Sequence, residues 1–222
     1  MVTAMVSHPA SQASSGLALH GHQATLEDGL AFINTLELAR SGPTDHLPTV
    51  DAALRWFHEQ SLFHTQALER ELARLAADPV AAARVLARIR RVRAALRELA
   101  DATVERRPPD QRQLDVVNRA LRTPYTYALV PAPDGVSLDH RHDGDPIEGA
   151  LARLTESIAR EVSLGHPERL GVCANLDCRW VFSDGSRGAR RKWCDMATCG
   201  NRAKVARHRE RQRVVAPTDE AG

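Results

Sequence analysis

Apolar residues recur at steps of three and four through most of the first two thirds of the chain, which is the period of amphipathic helices. Leu30 and Ile33 lie on the inner face of the first predicted helix. This helix starts at a capping-box pair, Thr25 and Asp28, and is predicted to run to the break at Ser41-Gly42-Pro43. Asp-Pro pairs mark the starts of two later helices. The pattern predicts five further helices, at about residues 49–59, 63–76, 79–107, 110–121 and 146–164.

The pattern then changes to strict alternation at residues 125–130 and 136–140, on either side of an Asp134-Gly135 turn. Alternation around such a dipeptide is typical of a β-hairpin. The body of the protein, residues 25–166, is therefore predicted to be mainly α with one small β-hairpin (α+β).

The two ends of the chain lack a repeating pattern. Residues 1–24 are rich in Ser, Ala, His and Gly and are predicted to be a disordered leader, and residues 215–222 a disordered tail. The leader lacks a basic segment followed by an apolar stretch, so we expect no signal peptide. No segment has the apolar length needed to cross a bilayer, so no membrane partner is expected. We therefore expect a cytoplasmic protein with reduced thiols.

All four cysteines lie in the last quarter of the chain, in the order Cys173-x4-Cys178-x15-Cys194-x4-Cys199. Two short loops that each offer two sulfurs are typical of a tetrahedral Zn2+ site. In a reducing compartment, clustered cysteines bind metal more often than they form disulfides. Four thiolates leave zinc without an open position, so the predicted site is structural rather than catalytic.

The residues around the cysteines predict a small finger over residues 167–214. Short extended pieces at 170–172 and 180–182 flank the first metal loop, and a helix should start between Asp195 and Cys199. A metal loop, a hairpin and a helix with the last ligand in its first turn describe a treble-clef-like zinc finger with four cysteine ligands. The metal would replace a hydrophobic core that a segment of this size cannot build.

Positive charge is concentrated in the same segment. Residues 168–214 contain 12 Arg or Lys and 5 Asp or Glu, whereas residues 1–167 contain 18 and 21. A basic unit on a mildly acidic body indicates a polyanion as the partner, and DNA is the partner we expect.

The phase of the last helix separates two sets of residues. At 100° per residue, one face carries Met196, Cys199, Ala203 and Ala206, which we expect to pack on the metal site. The opposite face is polar and basic, and a solvated helix end is the alternative to a nucleic-acid surface. The predicted nucleic-acid contacts are Arg190, Arg191, Lys192, Asn201, Arg202, Lys204, Arg207, His208, Arg209 and Arg211.

Asn34 and Thr35 are polar residues inside an otherwise apolar helix. They are candidates for a small-molecule site, and a hydrogen bond between helices is the alternative. No Ser/Cys–His–acid order, phosphate loop or paired-carboxylate pattern is present in the sequence, so we expect no enzymatic activity.

Two stretches resemble known families. The run from Arg191 to Arg202 closely resembles the CGNR zinc finger, named after a tetrapeptide found here as Cys199-Gly200-Asn201-Arg202, and the match extends back to Cys173. Residues 30–35 are similar to the ABATE domain, which precedes this finger in bacterial proteins described as stress-induced transcription regulators. The resemblance implies that the four cysteines bind zinc and that the basic helix binds DNA.

The sequence therefore predicts a zinc-dependent, DNA-binding transcriptional regulator, associated with the nucleoid. Its helical domain would sense a small molecule or a protein partner, and a homodimer is expected because one finger makes few base contacts. The alternative is a zinc-stabilised protein- or RNA-binding adaptor. Exposed rings at Trp180, Phe182 and Trp193 would favour RNA.

Overall fold

The structure, a computed structural model, describes residues 23–124, 126–132, 135–141 and 144–215. In the body these residues form helices α1 (Leu26–Asn34), α2 (Val50–Glu59), α3 (Thr65–Ala77), α4 (Pro79–Glu105), α5 (Gln111–Leu121) and α6 (Pro146–Leu164). Two antiparallel hairpins complete the body, β1 (Leu36–Ala39) with β2 (Gly42–Asp45), and β3 (Thr126–Ala132) with β4 (Gly135–Arg141). The finger contains β5 (Leu170–Val172), β6 (Val181–Ser183), a wide π-helical turn (Met196–Gly200) and α7 (Asn201–Val215). The predicted class, a mainly helical body followed by a C-terminal four-cysteine finger, is confirmed.

Side-chain caps set the helix starts at the predicted places. Asp78 accepts hydrogen bonds from the backbone of Val80 and Ala81, with Pro79 at the first helical position of α4. Asp145 and Pro146 begin α6 in the same way. Local chemistry therefore fixes where the two longest helices begin.

Helix α4 lies at the centre of the body, and each of the other five body helices contacts it. Its inner face carries a stripe of four apolar residues, Ile89, Val92, Leu96 and Leu99, all buried. Helix α6 adds Leu151, Leu154 and Ile158 to the same core.

The hairpin β1–β2 was not predicted, because the sequence indicated a helix as far as about residue 40. Instead α1 ends at Asn34, and Leu36 pairs with Asp45 at the base of the hairpin. The guanidinium of Arg93, on α4, donates to Thr35 Oγ1 at 2.9 Å and to Asp45 Oδ1 at 2.7 Å. This buried clamp holds both ends of the segment, and it overrides the helix propensity of the residues between them.

The hairpin β3–β4 confirms the predicted change of period, with Thr126 opposite Arg141 and Ala132 opposite Gly135.

Most of the predicted leader and tail lies outside the described residues, but Ala24, which was assigned to the leader, packs into the core. Within the described ranges, no helix has the length and apolar character to cross a membrane.

Candidate metal centre and nucleic-acid interface

The four cysteines occupy two loops of the finger. Cys173 follows β5 and Cys178 precedes β6, so the first pair lies in the loop of the β5–β6 hairpin. The backbone N–H of Cys173 donates to the carbonyl of Trp180 at 2.8 Å and closes that loop. Cys194 lies in the second loop, and Cys199 lies in the wide turn that leads into α7.

The sulfur atoms are placed for a shared metal ion. All four Sγ atoms lie within 4.8 Å of one another, with Cys178 and Cys194 3.5 Å apart and Cys194 and Cys199 3.8 Å apart. A tetrahedral ion with metal–sulfur bonds of about 2.3 Å separates its ligands by about 3.8 Å. All four thiols are free, and those of Cys173 and Cys199 are buried. The cluster therefore fits a closed site of four sulfur ligands, with no position left for a substrate.

The first metal loop is shaped by Asn175. Its carbonyl accepts hydrogen bonds from the backbone of Cys178 at 2.9 Å and Arg179 at 3.0 Å. Its side-chain Nδ2 donates to Cys199 Sγ at 3.5 Å, which places the partial positive charge of an N–H group beside this sulfur. Sequence reasoning missed this residue, although an Asn two positions after the first cysteine is a signal for such a turn.

Hydrogen bonding also divides the thiols electrostatically. The pKa of Cys178 is lowered to about 6, mainly because its sulfur accepts a hydrogen bond from the thiol of Cys194. The same bond raises the pKa of Cys194, and burial raises that of Cys173. The sulfur of Cys178 is therefore mostly a thiolate near neutral pH, which is the form that binds a metal ion.

The second loop is held by Asp184, which is buried directly after β6. Its carboxylate accepts from the backbone N–H of Ser186 at 2.9 Å and of Arg191 at 2.7 Å. Hydrogen bonds from Ser186 and then Arg191 lower the pKa of Asp184 to about 2. Arg169 Nη1 donates to the carbonyl of Asp184 at 2.8 Å and joins the loop to the start of β5. Asp184 thus sets the path of the chain between the two pairs of cysteines.

Helix α7 projects from the metal cluster, and Cys199 and Gly200 are the buried residues at its start. Ala203 is half-buried, but Met196, 50% exposed, and Ala206, also exposed, do not pack on the cluster as predicted. The helix leaves the finger after its first turn, and Ala206 is therefore exposed. All ten predicted nucleic-acid contacts are exposed.

Comparison with known families identifies both the body and the finger. The ABATE family, described as "Putative stress-induced transcription regulator", matches residues 29–164, more than half of the chain. The chain belongs to the ABATE family. The CGNR zinc finger matches residues 169–212, so both resemblances are confirmed. A search of curated proteins found no match.

The ABATE body and the CGNR finger are joined by Asn34, at the end of α1. Asn34 Nδ2 donates to the carbonyl of Val181 at 2.8 Å, and the N–H of Val181 donates to Asn34 Oδ1 at 2.9 Å. The amide therefore caps the backbone of β6 as a neighbouring strand would. At the turn of β1–β2, the N–H of Arg40 donates to the carbonyl of Leu176, in the first metal loop, at 2.9 Å.

These contacts bear on the candidate ligand site at Asn34 and Thr35. Asn34 binds the finger, and Thr35 Oγ1 donates to the carbonyl of Phe32 and accepts from Arg93. Both side chains are buried, and protein groups occupy their polar atoms. We therefore interpret the two residues as structural, and closer to the hydrogen-bond alternative than to a ligand pocket.

Some of the predicted DNA contacts in the CGNR finger also have partners within it. The guanidinium of Arg191 donates to the carbonyl of Cys194 and lies 5.2 Å from the ring centroid of Phe182. Asn201 Nδ2 donates to the carbonyl of Ala197 at 2.9 Å. By contrast, the described carboxylates form no ion pair with the α7 cations Arg202, Lys204, Arg207, Arg209 and Arg211. These cations are free to meet an anion from outside.

Proposed function

We propose that this ABATE protein is a zinc-dependent transcriptional regulator that binds DNA through α7. The observation that carries the proposal is the composition and exposure of that helix. Residues 201–215 contain six Arg or Lys and a single acid, Glu210. The described cations of this projecting helix are exposed and form no ion pair among the described residues, which suits the phosphates and the major groove of duplex DNA.

Zinc is the metal we propose for the cluster. A tetrahedral set of four thiolates suits zinc or an iron–sulfur cluster, and the family match favours zinc. Cys173, Cys178, Cys194 and Cys199 would hold it, and the bound ion would supply folding free energy and no chemistry at a substrate. Metal analysis of the purified protein should find one zinc per chain and no iron.

The test of DNA binding uses the full chain with zinc bound. Its affinity for duplex DNA should fall steeply as the salt concentration is raised. The reason is that Arg and Lys side chains bound to phosphates release the counterions condensed on the DNA. Replacing Arg207 and Arg211 by Ala should lower affinity and flatten that salt dependence. The matched control replaces Arg84 and Arg91, two exposed arginines of α4, and should change neither. Absence of salt-dependent binding by the native chain would exclude the proposal.

The alternative, a protein- or RNA-binding adaptor, has one observation on each side. Phe182 is buried, and Trp180 and Trp193 are half-buried, so none of these three rings is fully exposed for stacking on single-stranded RNA. Against this, Leu129 and Val136 on β3–β4 are 70% and 72% exposed, which suits a protein partner. Charging both positions should leave DNA affinity unchanged if DNA is the main partner.

We propose further that the body senses a small molecule or a protein, and that two copies bind DNA together at the nucleoid. One helix of this length covers few base pairs, and a symmetric dimer doubles the site. Sedimentation of the free protein and of its DNA complex tests the stoichiometry, and two chains per DNA site is the expected result.

A further inference from the structure

The face of α7 that is turned away from the finger can be identified from burial. Cys199 and Gly200 are buried and Ala203 is half-buried, so these residues mark the side of the helix that rests on the metal cluster. Val205 follows Ala203 by two residues and lies about 160° around the helix from it. Although it is apolar, Val205 is 48% exposed.

Two arginines flank Val205 on this outward face. Arg202 and Arg209 lie one turn before and one turn after it, and both are exposed. Both arginines and Val205 line one shallow groove on this face, together with Ala197, Thr198, Asn201 and Ala206. An apolar centre between two unpaired cations is unusual for a helix that only needs to be soluble.

The spacing of the three side chains suits a site of about four base pairs. Arg202, Val205 and Arg209 stand at positions i, i+3 and i+7, and seven residues of helix span about 10.5 Å. Three steps of B-DNA, at about 3.4 Å each, cover the same length. Recognition helices of zinc fingers read three base pairs with a similar span.

The chemistry of these side chains selects particular bases. Arginine forms two hydrogen bonds with the N7 and O6 atoms of guanine, and a small apolar side chain packs on the methyl group of thymine. The opposite side of the helix carries Arg207 and Arg211. When Val205 faces the bases, these two side chains are directed away from the bases and towards phosphates.

We propose that the face formed by Arg202, Val205 and Arg209 reads a short major-groove site, in which two guanines flank a base pair that presents a thymine methyl group. This inference rests on the proposed DNA-binding function and adds the residues that give it specificity. Arg207 and Arg211 contribute to affinity for any sequence.

The experiment begins with selection of binding sites from a random duplex library by the full-length, zinc-loaded protein. Arg202→Ala and Arg209→Ala should each remove the preference for one guanine and weaken binding to the selected site about ten- to a hundredfold. Their binding to random duplex DNA should weaken only about two- to threefold. The control double variant, Arg207→Ala with Arg211→Ala, should weaken both kinds of binding equally and leave the selected sequence unchanged.

Val205 is tested by removing the methyl group from the DNA instead of from the protein. Replacing the central thymine by uracil should weaken binding of the native chain about three- to tenfold, and should have no effect on Val205→Ser, which lacks the apolar contact. All these positions are exposed, so zinc content and helix content should stay at native values in every variant.

The results separate two kinds of failure. If the native chain binds no duplex DNA in a salt-dependent way, both the proposed function and this inference fail. If it binds DNA but the variants at Arg202 and Arg209 select the native sequence, only this inference fails. A change of sequence preference in the control variant would place the reading face on the other side of α7 and would also overturn the inference.

Discussion

Asn34 joins residues that are 147 positions apart in the chain, and it uses both polar atoms of its side-chain amide to do so. The bonded N–H and C=O of Val181 are buried with it. Truncation of the side chain would leave both backbone groups without a partner, and each such group costs about 1–3 kcal/mol. A single amide therefore carries much of the polar contact between body and finger.

We expect Asn34→Ala to lower the free energy of unfolding by about 2–4 kcal/mol and to weaken metal binding. The metal affinity falls because β6 leads directly out of the first metal loop. Chemical denaturation and competition with a metal indicator measure the two effects. Asn118→Ala, at an exposed position on α5, is the control and should change neither. Loss of stability with unchanged metal affinity would contradict the coupling.

Asp184 gives a prediction with a defined pH range. Its lowered pKa, about 2, means that the folded state favours the ionised carboxylate. The resulting stability is complete above the unfolded pKa of about 4 and is lost as pH falls towards 2. Asp184→Asn should therefore lower Tm by about 3 °C or more, and by the same amount at pH 6 and pH 8. Asp177→Asn, at an exposed position, is the control. If the difference in Tm between Asp184→Asn and the native chain changed between pH 6 and pH 8, this explanation would be excluded.

Single residues could be predicted from the sequence where their type and spacing are typical of one structural role. Four cysteines at paired spacings predicted the metal cluster, and Asp78 predicted a helix start, because each signal is local. Asn34 carried no such signal. Its polar side chain in an apolar helix predicted a buried partner, but the partner lies in a different part of the chain and only the fold brings it close.

The packing of α1 on α6 depends on Gly29. A Cβ atom at this position would lie 2.4 Å from Ser157 Oγ and 2.9 Å from side-chain atoms of Ile158. The two helices approach as closely as they do because position 29 has no side chain.

Gly29→Ala should lower the free energy of unfolding by about 1–2 kcal/mol, because overpacking costs more than the roughly 1 kcal/mol gained in helix propensity. Ser157→Ala in the same chain should recover part of the loss. The matched control is Gly144→Ala, since a Cβ at that position meets nothing within 4 Å. Thermal unfolding of the three variants checks this, and equal stability of Gly29→Ala and the native chain would contradict it.

Among the elements, the helices and two of the hairpins were predicted, and the hairpin β1–β2 was missed. The long helices show their period, and aspartates and prolines mark their starts. The segment that forms β1 reads as the end of a helix, since Leu, Glu and Ala all favour that state. Arg93 and Asp45 decide the outcome through tertiary contacts, and no local pattern shows that these residues meet.

Across the whole molecule, the body and the finger share one core. Leu170 and Val181 belong to the finger, yet they pack in the same cluster as Leu96 of α4. The sequence indicated two modules with a boundary near residue 166, since charge and cysteine content change there. Composition marks such a boundary but does not show how the two sides pack.

Removal of the metal should therefore loosen part of the body as well as the finger. With a chelator present, hydrogen exchange should rise in β5 and β6, at the end of α1 and at the turn of β1–β2, because Asn34 and Arg40 lose their partners there. Helix α5 contacts α4 and α6 and should keep its protection. Cys199→Ser should reproduce the pattern without chelator. If the end of α1 kept its native exchange rate while β6 exchanged freely, the finger would fold independently, and a signal sensed by the body would have no route to α7 through this contact.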